Sequence, residues 1–249
     1  MTAALFHLEP AVAAGAGVGD VVELGGPEGR HAVTVKRVEV GEHIDLGDGA
    51  GTVLNAVVEA LHGRDSLTAR VLVRSELPAP QPRIVVVQAL PKGERGETAV
   101  ETLTEVGVDV IVPWQAERCV ARWTGDKVQR GQSKWAATAR AAGKQARRAW
   151  LPQVAPLART ADVEGLVASA ACAIVLHEGA ARPLRAIGLP ADGDVVLIVG
   201  PEGGVSQAEL DRFTAAGAHL ALLGPTVMRT STAGTVAAAV VLAATPRWS

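Results

Sequence analysis

Two glycine-proline motifs in the second half of the chain have the residue types needed to hold a small molecule against the backbone. Gly-Pro-Glu-Gly-Gly at 200–204 follows the apolar run 195–199, and Gly224-Pro225 follows the run 218–223. Proline ends a strand because its φ is fixed and it has no N–H to donate, whereas glycine lets the main chain approach a ligand closely. Two such loops at two strand ends predict a pocket walled largely by backbone.

Titratable side chains stand beside these strand ends. His177 and Glu178 follow the apolar run 172–176; they indicate acid–base chemistry or a pocket rim, and the rim is favoured because no third orienting residue is identifiable. Glu202 is either a functional carboxylate or, more commonly before a helix, an acceptor for loop N–H groups. Arg229 precedes the last predicted helix. The segment that it opens is either a plain Ser/Thr helix cap, or it places the Arg229 cation between a small-molecule site and a phosphate-bearing partner.

A run of basic residues without acidic ones extends from 127 to 148. A solvated helix face usually alternates charge signs, so this one-sided stretch favours contact with a polyanion such as nucleic acid. His31 and Arg37 lie in the predicted strand 31–38, and their even spacing places them on one face; taken alone they are ordinary surface residues. The basic residues are Lys127, Arg130, Lys134, Arg140, Lys144, Arg147 and Arg148.

The elements that must position these residues fall into two regions. Up to about residue 75, short runs rich in Val and Leu alternate with turn signals, which predicts a small all-β barrel or sandwich. Three alternating prolines at 78, 80 and 82 indicate a stiff linker. We therefore predict a first domain at 1–76, a linker at 77–83 and a second domain at 84–249.

The second region alternates fully apolar runs with helical stretches, which predicts an α/β domain with a parallel sheet. Ser206 and Glu209 form a capping box that starts one helix, and Gly217 ends it. The loop 200–204 therefore lies between a strand end and a helix start, where open α/β sheets bind ligands. The strand runs are 84–87, 108–112, 172–176, 195–199 and 218–223, and the helices fall near 97–106, 132–148, 207–216 and 232–244.

The composition limits the class of protein. The 249 residues are 48% hydrophobic, which is enough for a sizeable core. The net charge of −2 argues neither for nor against a nucleic-acid partner, so the distribution of charge along the chain must decide. Cys119 and Cys172 lack metal-ligand spacing and read as buried thiols in a reducing cytoplasm. We expect a soluble protein without a signal peptide, membrane span, dinucleotide fingerprint, P-loop or metal site.

The two glycine-proline motifs also carry a family resemblance. Gly-Pro-Glu-Gly-Gly-Val-Ser at 200–206 and Leu-Gly-Pro-Thr-Val-Met-Arg-Thr at 223–230 closely resemble the C-terminal signature of the RsmE family, bacterial small-subunit rRNA uridine-N3 methyltransferases of the SPOUT class. The segments 92–95, 104–108 and 117–120 resemble the first βαβ unit of that family. The segments 31–37 and 48–51 resemble its N-terminal domain, so the resemblance covers nearly the whole chain.

The resemblance implies a PUA-like β-barrel followed by a SPOUT α/β domain whose C-terminal part is tied in a trefoil knot. It implies a homodimer whose interface completes the active site, with S-adenosylmethionine as cofactor. The expected location is the cytoplasm, and the reaction needs no metal. The substrate would be N3 of a uridine in 16S rRNA, in an assembled or late-assembling 30S subunit.

The resemblance also assigns roles by position. Arg229 would stabilise the negative charge that develops on uracil, and His177 or solvent would take the N3 proton. RNA would meet His31, Arg37, Lys134, Arg140, Lys144, Arg147 and Arg148. The cofactor would be held by Leu176, His177, Glu178, Gly200, Pro201, Glu202, Gly203, Leu223, Gly224, Val227, Met228, Arg229 and Thr230.

Two departures from the family pattern accompany the resemblance. Family members often have an arginine near the N-terminus, but residues 1–7 contain none, and Ser231 stands where the family often has Glu. The rival interpretations are a SPOUT tRNA ribose 2′-O-methyltransferase and a non-catalytic ribosome-assembly factor on the same fold. The β-rich first region joined to this signature favours the rRNA enzyme.

Overall fold

The computed structural model describes residues 3–248 and divides into two compact units. The first unit comprises the chain up to Ala79 together with Gly143–Leu151, and the second comprises Pro80–Ala142 and the chain from Pro152 onward. The later segment joins the first unit through backbone hydrogen bonds, from Gly51 N–H to Ala149 O at 3.0 Å and from Leu151 N–H to Gly49 O at 2.9 Å. The predicted boundaries at 76 and 84 stay a prediction, and residues 1, 2 and 249 lie outside the described part.

The first unit is built on a five-stranded sheet with the strand order β1-β3-β4-β5-β2. The pair β1–β3 is parallel and the others are antiparallel. Alternate side chains, such as Ile44, Leu46 and Leu54, are fully buried, as expected for strands with one face on a core. The elements are β1 (Ala4–His7), α1 (Pro10–Gly15), β2 (Val21–Leu24), α2 (Gly26–Arg30), β3 (His43–Gly47), β4 (Thr52–His62) and β5 (Ser66–Glu76).

The prediction of a strand over 31–38 was wrong. Helix α2 begins with Pro27 in its first turn and continues into a π-helical turn, His31–Lys36. Arg37 closes that turn in the left-handed conformation, with φ 56° and ψ 47°, so His31 and Arg37 do not share a strand face. The apolar residues of the run suggested a strand, but the helix start at Gly26 and Pro27 overrides their local β-propensity. Strand β1 and helix α1 were not predicted.

The second unit is a six-stranded, fully parallel sheet with the order β11-β9-β10-β6-β7-β8. Its central strands are buried on both faces, which explains their continuous apolar runs. The strands are β6 (Arg83–Ala89), β7 (Val110–Trp114), β8 (Gln153–Val154), β9 (Cys172–Leu176), β10 (Asp194–Val199) and β11 (His219–Ala221). The helices are α3 (Arg95–Val106), α4 (Asp126–Gln145), α5 (Thr160–Ser169), α6 (Gln207–Ala215) and α7 (Thr230–Ala243).

The structure confirms the alternation of strands and helices and corrects some bounds. The capping box of Ser206 and Glu209 is present at the start of α6. Pro113 lies inside β7 instead of stopping it, and its carbonyl accepts the Ala158 N–H at 2.7 Å. Helix α5 and strand β8 were not predicted, since one has a weak amphipathic pattern and the other is only two residues long.

The basic helix is shorter at its C-terminal end than predicted. Helix α4 ends at Gln145, where Arg147 N–H donates to Lys144 O and Arg148 N–H to Gly143 O, at 3.1 and 2.9 Å. This is a Schellman closure, and Arg147 adopts the left-handed conformation usually taken by glycine. Because no glycine marks the end, the sequence pattern ran on to 148. Arg147 and Arg148 therefore do not extend the helical face.

Both cysteines are free and buried, as the sequence predicted. Burial raises the pKa of the Cys119 and Cys172 thiols, which keeps them protonated near neutral pH. Among residues 3–248, no helix is both long and apolar enough to cross a membrane. The trefoil knot stays a prediction.

Candidate active site

A cavity of about 670 Å³ lies where the loops after β9, β10 and β11 meet in the second unit. Parallel strands present their carboxyl ends at one sheet edge, which is where ligands of open α/β sheets bind. All of the residues that the resemblance assigned to the cofactor line this cavity. They are Leu176, His177, Glu178, Gly200, Pro201, Glu202, Gly203, Leu223, Gly224, Val227, Met228, Arg229 and Thr230.

The loop after β10 is a tight turn that admits little beyond glycine. Gly204 has φ +72°, and its N–H donates to Pro201 O at 2.9 Å. A Cβ added at Gly200 would lie 2.8 Å from Cγ2 of Val205, closer than real Cβ contacts allow. The turn therefore keeps its main chain open toward the cavity and leads directly into the capped start of α6.

Glu202 holds this loop in place. Its Oε1 accepts the Lys92 N–H at 3.1 Å and lies 4.0 Å from Nη1 of Arg95. The carboxylate thus connects the loop after β10 to the segment between β6 and α3. This geometry favours the structural reading of Glu202 over a role in proton transfer.

His177 has a hydrogen bond that determines which ring nitrogen carries the proton. Its Nδ1 accepts the Gly179 N–H at 3.1 Å, while its own backbone N–H donates to Ala221 O at 3.0 Å. A nitrogen that accepts a hydrogen bond is unprotonated, so the neutral ring carries its proton on Nε2. In this arrangement the neutral imidazole offers a donor at Nε2.

Arg229 caps the N-terminus of α7 with its backbone. Its carbonyl accepts the N–H groups of Thr232 and Ala233, each at 2.9 Å. The guanidinium lines the cavity, is exposed, and has no carboxylate partner among residues 3–248. The positive end of the helix dipole adds to its charge at this position. The start of α7 is therefore a cationic part of the cavity wall.

Ser231 does not line the cavity. It is buried in the first turn of α7, where its neighbour Thr230 accepts a hydrogen bond from Nε2 of the fully buried Gln88 at 3.3 Å. The position at which the family often has Glu thus lies behind the cavity wall in this chain.

Comparison with known proteins agrees with this architecture. A family model described as "RNA methyltransferase domain" matches residues 78–242, and one described as "RNA methyltransferase PUA domain" matches residues 24–72. Ribosomal RNA small subunit methyltransferase E of Mycobacterium bovis is 45% identical over all of this chain and 94% of that protein. The chain belongs to the ribosomal RNA small subunit methyltransferase E family. It is therefore an RNA methyltransferase with a PUA-like domain and a SPOUT-type α/β domain, which confirms the predicted family and fold class.

Two solved structures resemble this family member over nearly its full length. A Legionella pneumophila methyltransferase in complex with the cofactor SAM is 27% identical, with a TM-score of 0.84, covering 98% of this chain and 99% of that one. The family member from Neisseria gonorrhoeae, bound to S-adenosyl methionine, is 25% identical, with a TM-score of 0.84 and 98% of each chain covered.

The residues of this methyltransferase predicted to meet RNA differ in exposure. Arg37 and Arg140 are exposed, and Lys134 is exposed but lies 2.9 Å from Oε1 of Glu97. Arg147 is exposed and Arg148 half-buried, both just after α4. The remaining two, His31 and Lys144, lie in a partly buried cluster of the first unit.

Lys144 is largely removed from solvent. Only 10% of its side chain is exposed, and its Nζ lies 2.6 Å from Oε2 of Glu28 and 4.9 Å from the centre of the Phe6 ring. The pKa of the half-buried His31 is lowered by burial and by the nearby Lys144 ammonium. The basic pattern of α4 gave no sign of this, because the partner of Lys144 lies 116 residues away.

Arg118 is the charged cavity residue that sequence reasoning missed. It lines the same cavity, on the segment that follows β7. The signal available was the Glu-Arg-Cys-Val motif at 117–120, which contributed to the family resemblance without being assigned a role. Gly204, Pro225 and Thr226 also line the cavity, within the predicted loops 200–204 and 223–230, whereas Val199, Val205, Leu222 and Ala233 were not predicted.

Proposed function

We propose that this protein transfers a methyl group from S-adenosylmethionine to N3 of a uridine in small-subunit rRNA. The observation that carries the proposal is the cavity at the sheet edge, whose wall consists of the family-signature loops. The names of the relatives supply the substrate class, small-subunit rRNA, and the two similar structures with bound cofactor supply the methyl donor.

The cavity suits this cofactor in size and lining. Its volume of about 670 Å³ lies within the range of small-molecule sites. The glycines of 200–204 and Gly224 line the cavity and would offer peptide groups to an adenine, while Leu176 and Leu223 would provide apolar contact. His177, Glu178 and Arg229 add the few polar side chains that fix orientation in such sites.

The protein's own contribution to the chemistry is electrostatic and positional. When bound, S-adenosylmethionine supplies a methyl group on a positively charged sulfur, which is already activated for transfer. Uracil N3–H is a weak acid, so negative charge develops on the base as the proton leaves. Arg229, strengthened by the start of α7, stabilises that charge. Holding the base in line with the methyl group supplies much of the remaining acceleration.

The proton acceptor is solvent in this proposal. Because Nδ1 of His177 accepts the Gly179 N–H, the neutral ring offers Nε2–H and has no free lone pair for the N3 proton. His177 therefore donates a hydrogen bond to the bound ligands, and water takes the proton. The target base must be unpaired or flipped out to reach the cavity.

Substrate RNA and a second copy of the chain complete the proposed enzyme. Arg37 and Arg140 are exposed cations suited to phosphate contact. Val227 and Met228, which are 79% and 37% exposed, form an apolar lip of the cavity. This lip supports a homodimer in which the second copy covers the site, and a substrate in the ribosomal small subunit supports a cytoplasmic location.

The test is methyl transfer to defined RNA. The protein is incubated with methyl-labelled S-adenosylmethionine and 30S subunits from a strain that lacks its own family member, and the labelled nucleoside is identified by mass analysis. We expect 3-methyluridine in 16S rRNA. Label on a ribose 2′-oxygen, label only in added tRNA, or no label would overturn the proposal and favour the rival interpretations.

A further inference from the structure

Arg118 is a cation in the cavity wall to which the mechanism above gives no task. It is exposed, and its Nη1 donates to Gly203 O at 3.3 Å. The rest of its guanidinium makes no hydrogen bond or ion pair within residues 3–248. Neither the adjacent Glu117 nor the cavity residue Glu202 pairs with it among residues 3–248, since Glu117 is exposed and Glu202 contacts the Lys92 N–H and Arg95 instead.

The backbone that carries Arg118 is held firmly. Glu117 N–H donates to Oε1 of Glu209 at 2.9 Å, and Oγ1 of Thr160 donates to the same oxygen at 2.9 Å. Glu209 is 3% exposed, and its Oε2 accepts the Ser206 N–H at 3.1 Å. The capping carboxylate of α6 therefore also anchors the segment that follows β7.

Arg118 packs directly on the loop after β10. A Cβ added at Gly203 would lie 3.2 Å from the Cβ of Arg118 and 3.3 Å from its carbonyl oxygen. The absence of a side chain at Gly203 thus lets the two segments meet at the cavity wall. The stem of Arg118 is fixed, while its charged end has donors to spare.

An arginine with unused donors in a ligand cavity is suited to a carboxylate or phosphate group, which its planar fork binds through two parallel hydrogen bonds. Both reactants of the proposed function bring such a group: the amino-acid carboxylate of the cofactor and the phosphates of the target nucleotide. Arg229 lies on a different segment, at the start of α7, so the two cations are positioned independently.

We propose that Arg118 binds an oxyanion of one of the two reactants and thereby orients it for methyl transfer. This inference rests on the proposed function. It assigns the segment that follows β7 a direct role in ligand binding, alongside the loops after β9, β10 and β11.

The test compares Arg118→Met with Arg122→Met. Arg122 lies on the same segment, is exposed and does not line the cavity. Its Nη2 donates to Glu117 O at 3.2 Å, so Arg122→Met removes the same charge and one backbone contact of the segment, but no group of the cavity wall. Calorimetry gives the Kd of S-adenosylhomocysteine and of 5′-methylthioadenosine, which lacks the amino-acid carboxylate. Kinetics at several salt concentrations give KM for 30S subunits. Both side chains are exposed, so both variants are expected to keep the melting temperature of the unsubstituted protein.

If Arg118 binds the cofactor carboxylate, Arg118→Met should raise the Kd of S-adenosylhomocysteine by about 10- to 100-fold, the loss typical of a hydrogen-bonded ion pair. The Kd of 5′-methylthioadenosine should not change. If Arg118 binds a phosphate of the target nucleotide, the Kd of S-adenosylhomocysteine should stay unchanged. KM for 30S subunits should rise, and its dependence on salt concentration should have a slope lower by about one.

Either result supports the proposal and identifies the source of the oxyanion. An equal rise in the Kd of S-adenosylhomocysteine and of 5′-methylthioadenosine would overturn the proposal. It would also be overturned if Arg118→Met and Arg122→Met had the same Kd, KM and salt slope. Failure of the unsubstituted protein to methylate subunits would instead refute the proposed function, while the calorimetric comparison would still report on Arg118.

Discussion

At the scale of single residues, the side chains of Arg229 and His177 offer different polar groups to the cavity. Arg229 has no carboxylate partner among residues 3–248 and lies at the positive end of α7, so its charge is available to a developing anion. His177 is oriented by the Gly179 N–H. These two local arrangements are why we propose charge stabilisation by the arginine and only hydrogen-bond donation by the histidine.

Replacing Arg229 by Met is expected to lower kcat by about 100-fold, the loss typical of removing one transition-state donor. The Kd of S-adenosylhomocysteine should change by less than about 10-fold, because the interaction forms mainly as charge develops on the base. Single-turnover methylation and calorimetry measure the two effects. Arg229→Lys, which keeps the charge, should retain part of the rate. A drop in cofactor affinity with an unchanged kcat would contradict this role.

At the scale of elements, two partly buried ion pairs join segments that are distant in sequence. In the first unit Lys144, from the end of α4, pairs with Glu28 of α2. Burial alone would raise the pKa of Glu28, but the hydrogen bond and charge of Lys144, together with the His7 N–H, hold it below its usual value. The pair therefore stabilises the segment 143–151 on the first unit.

Replacing Lys144 by Met is expected to destabilise the protein by about 1–3 kcal/mol, because Glu28 would lose its buried partner. Lys134→Met is the matched control, since Lys134 is 61% exposed and such pairs contribute about 1 kcal/mol or less. Urea denaturation measures both. Equal effects of the two substitutions would contradict the burial argument.

The cluster around Lys144 also makes stability depend on pH. The folded state lowers the pKa of His31, chiefly by burial, so the folded state binds fewer protons than the unfolded state below the usual histidine pKa of about 6.5. Stability should fall as pH drops through that range, and further at lower pH as Glu28 is protonated. His31→Gln should remove the first decrease and leave the second. Denaturation midpoints between pH 7.5 and 3 test this, and an unchanged first decrease would contradict it.

In the second unit, Arg247 ties the C-terminal end of the chain to the start of β7. It contacts both carboxylate oxygens of Asp109, and its Nη2 donates to Gly107 O at 2.9 Å. The two side chains are 12% and 9% exposed. Replacing Arg247 by Met should therefore cost about 3–5 kcal/mol, as for other broken buried pairs. Arg185→Met, at an exposed position, is the control in thermal denaturation, and equal melting temperatures would contradict the prediction.

At the scale of the whole molecule, the net charge of −2 gives no general attraction to RNA. Binding must then come from a few exposed cations. Arg37 and Arg140 are exposed, whereas the side chain of Lys144 is only 10% exposed and pairs with Glu28. The sequence pattern alone treated these basic residues alike, but their burial separates them.

Replacing Arg37 or Arg140 by Met should raise KM for 30S subunits and lower the salt slope of binding by about one each, as expected for phosphate contacts. The Kd of S-adenosylhomocysteine should stay the same. Filter binding at several salt concentrations measures the slope. An unchanged slope for both variants would show that RNA is met elsewhere.

Much of this protein was determined by local sequence signals. Glycine-proline steps after apolar runs marked two of the three cavity loops, and the family resemblance extended the prediction to thirteen residues that line the cavity. The capping box at Ser206 and the alternation of strands and helices could also be predicted from the sequence, because both depend on residues close together in the chain.

Tertiary structure decided what depends on distant partners. No hydrophobic periodicity marks the π-helical turn at 31–36, and no glycine marks the left-handed position of Arg147. The strand at 31–38 and the helix end at 148 were therefore mispredicted. Lys144 became a structural cation because folding brings Glu28 to it, and Arg118 became a cavity residue because Glu209 anchors its segment beside Gly203. Contacts of this kind leave no trace in local spacing, since both partners must first be placed by the fold.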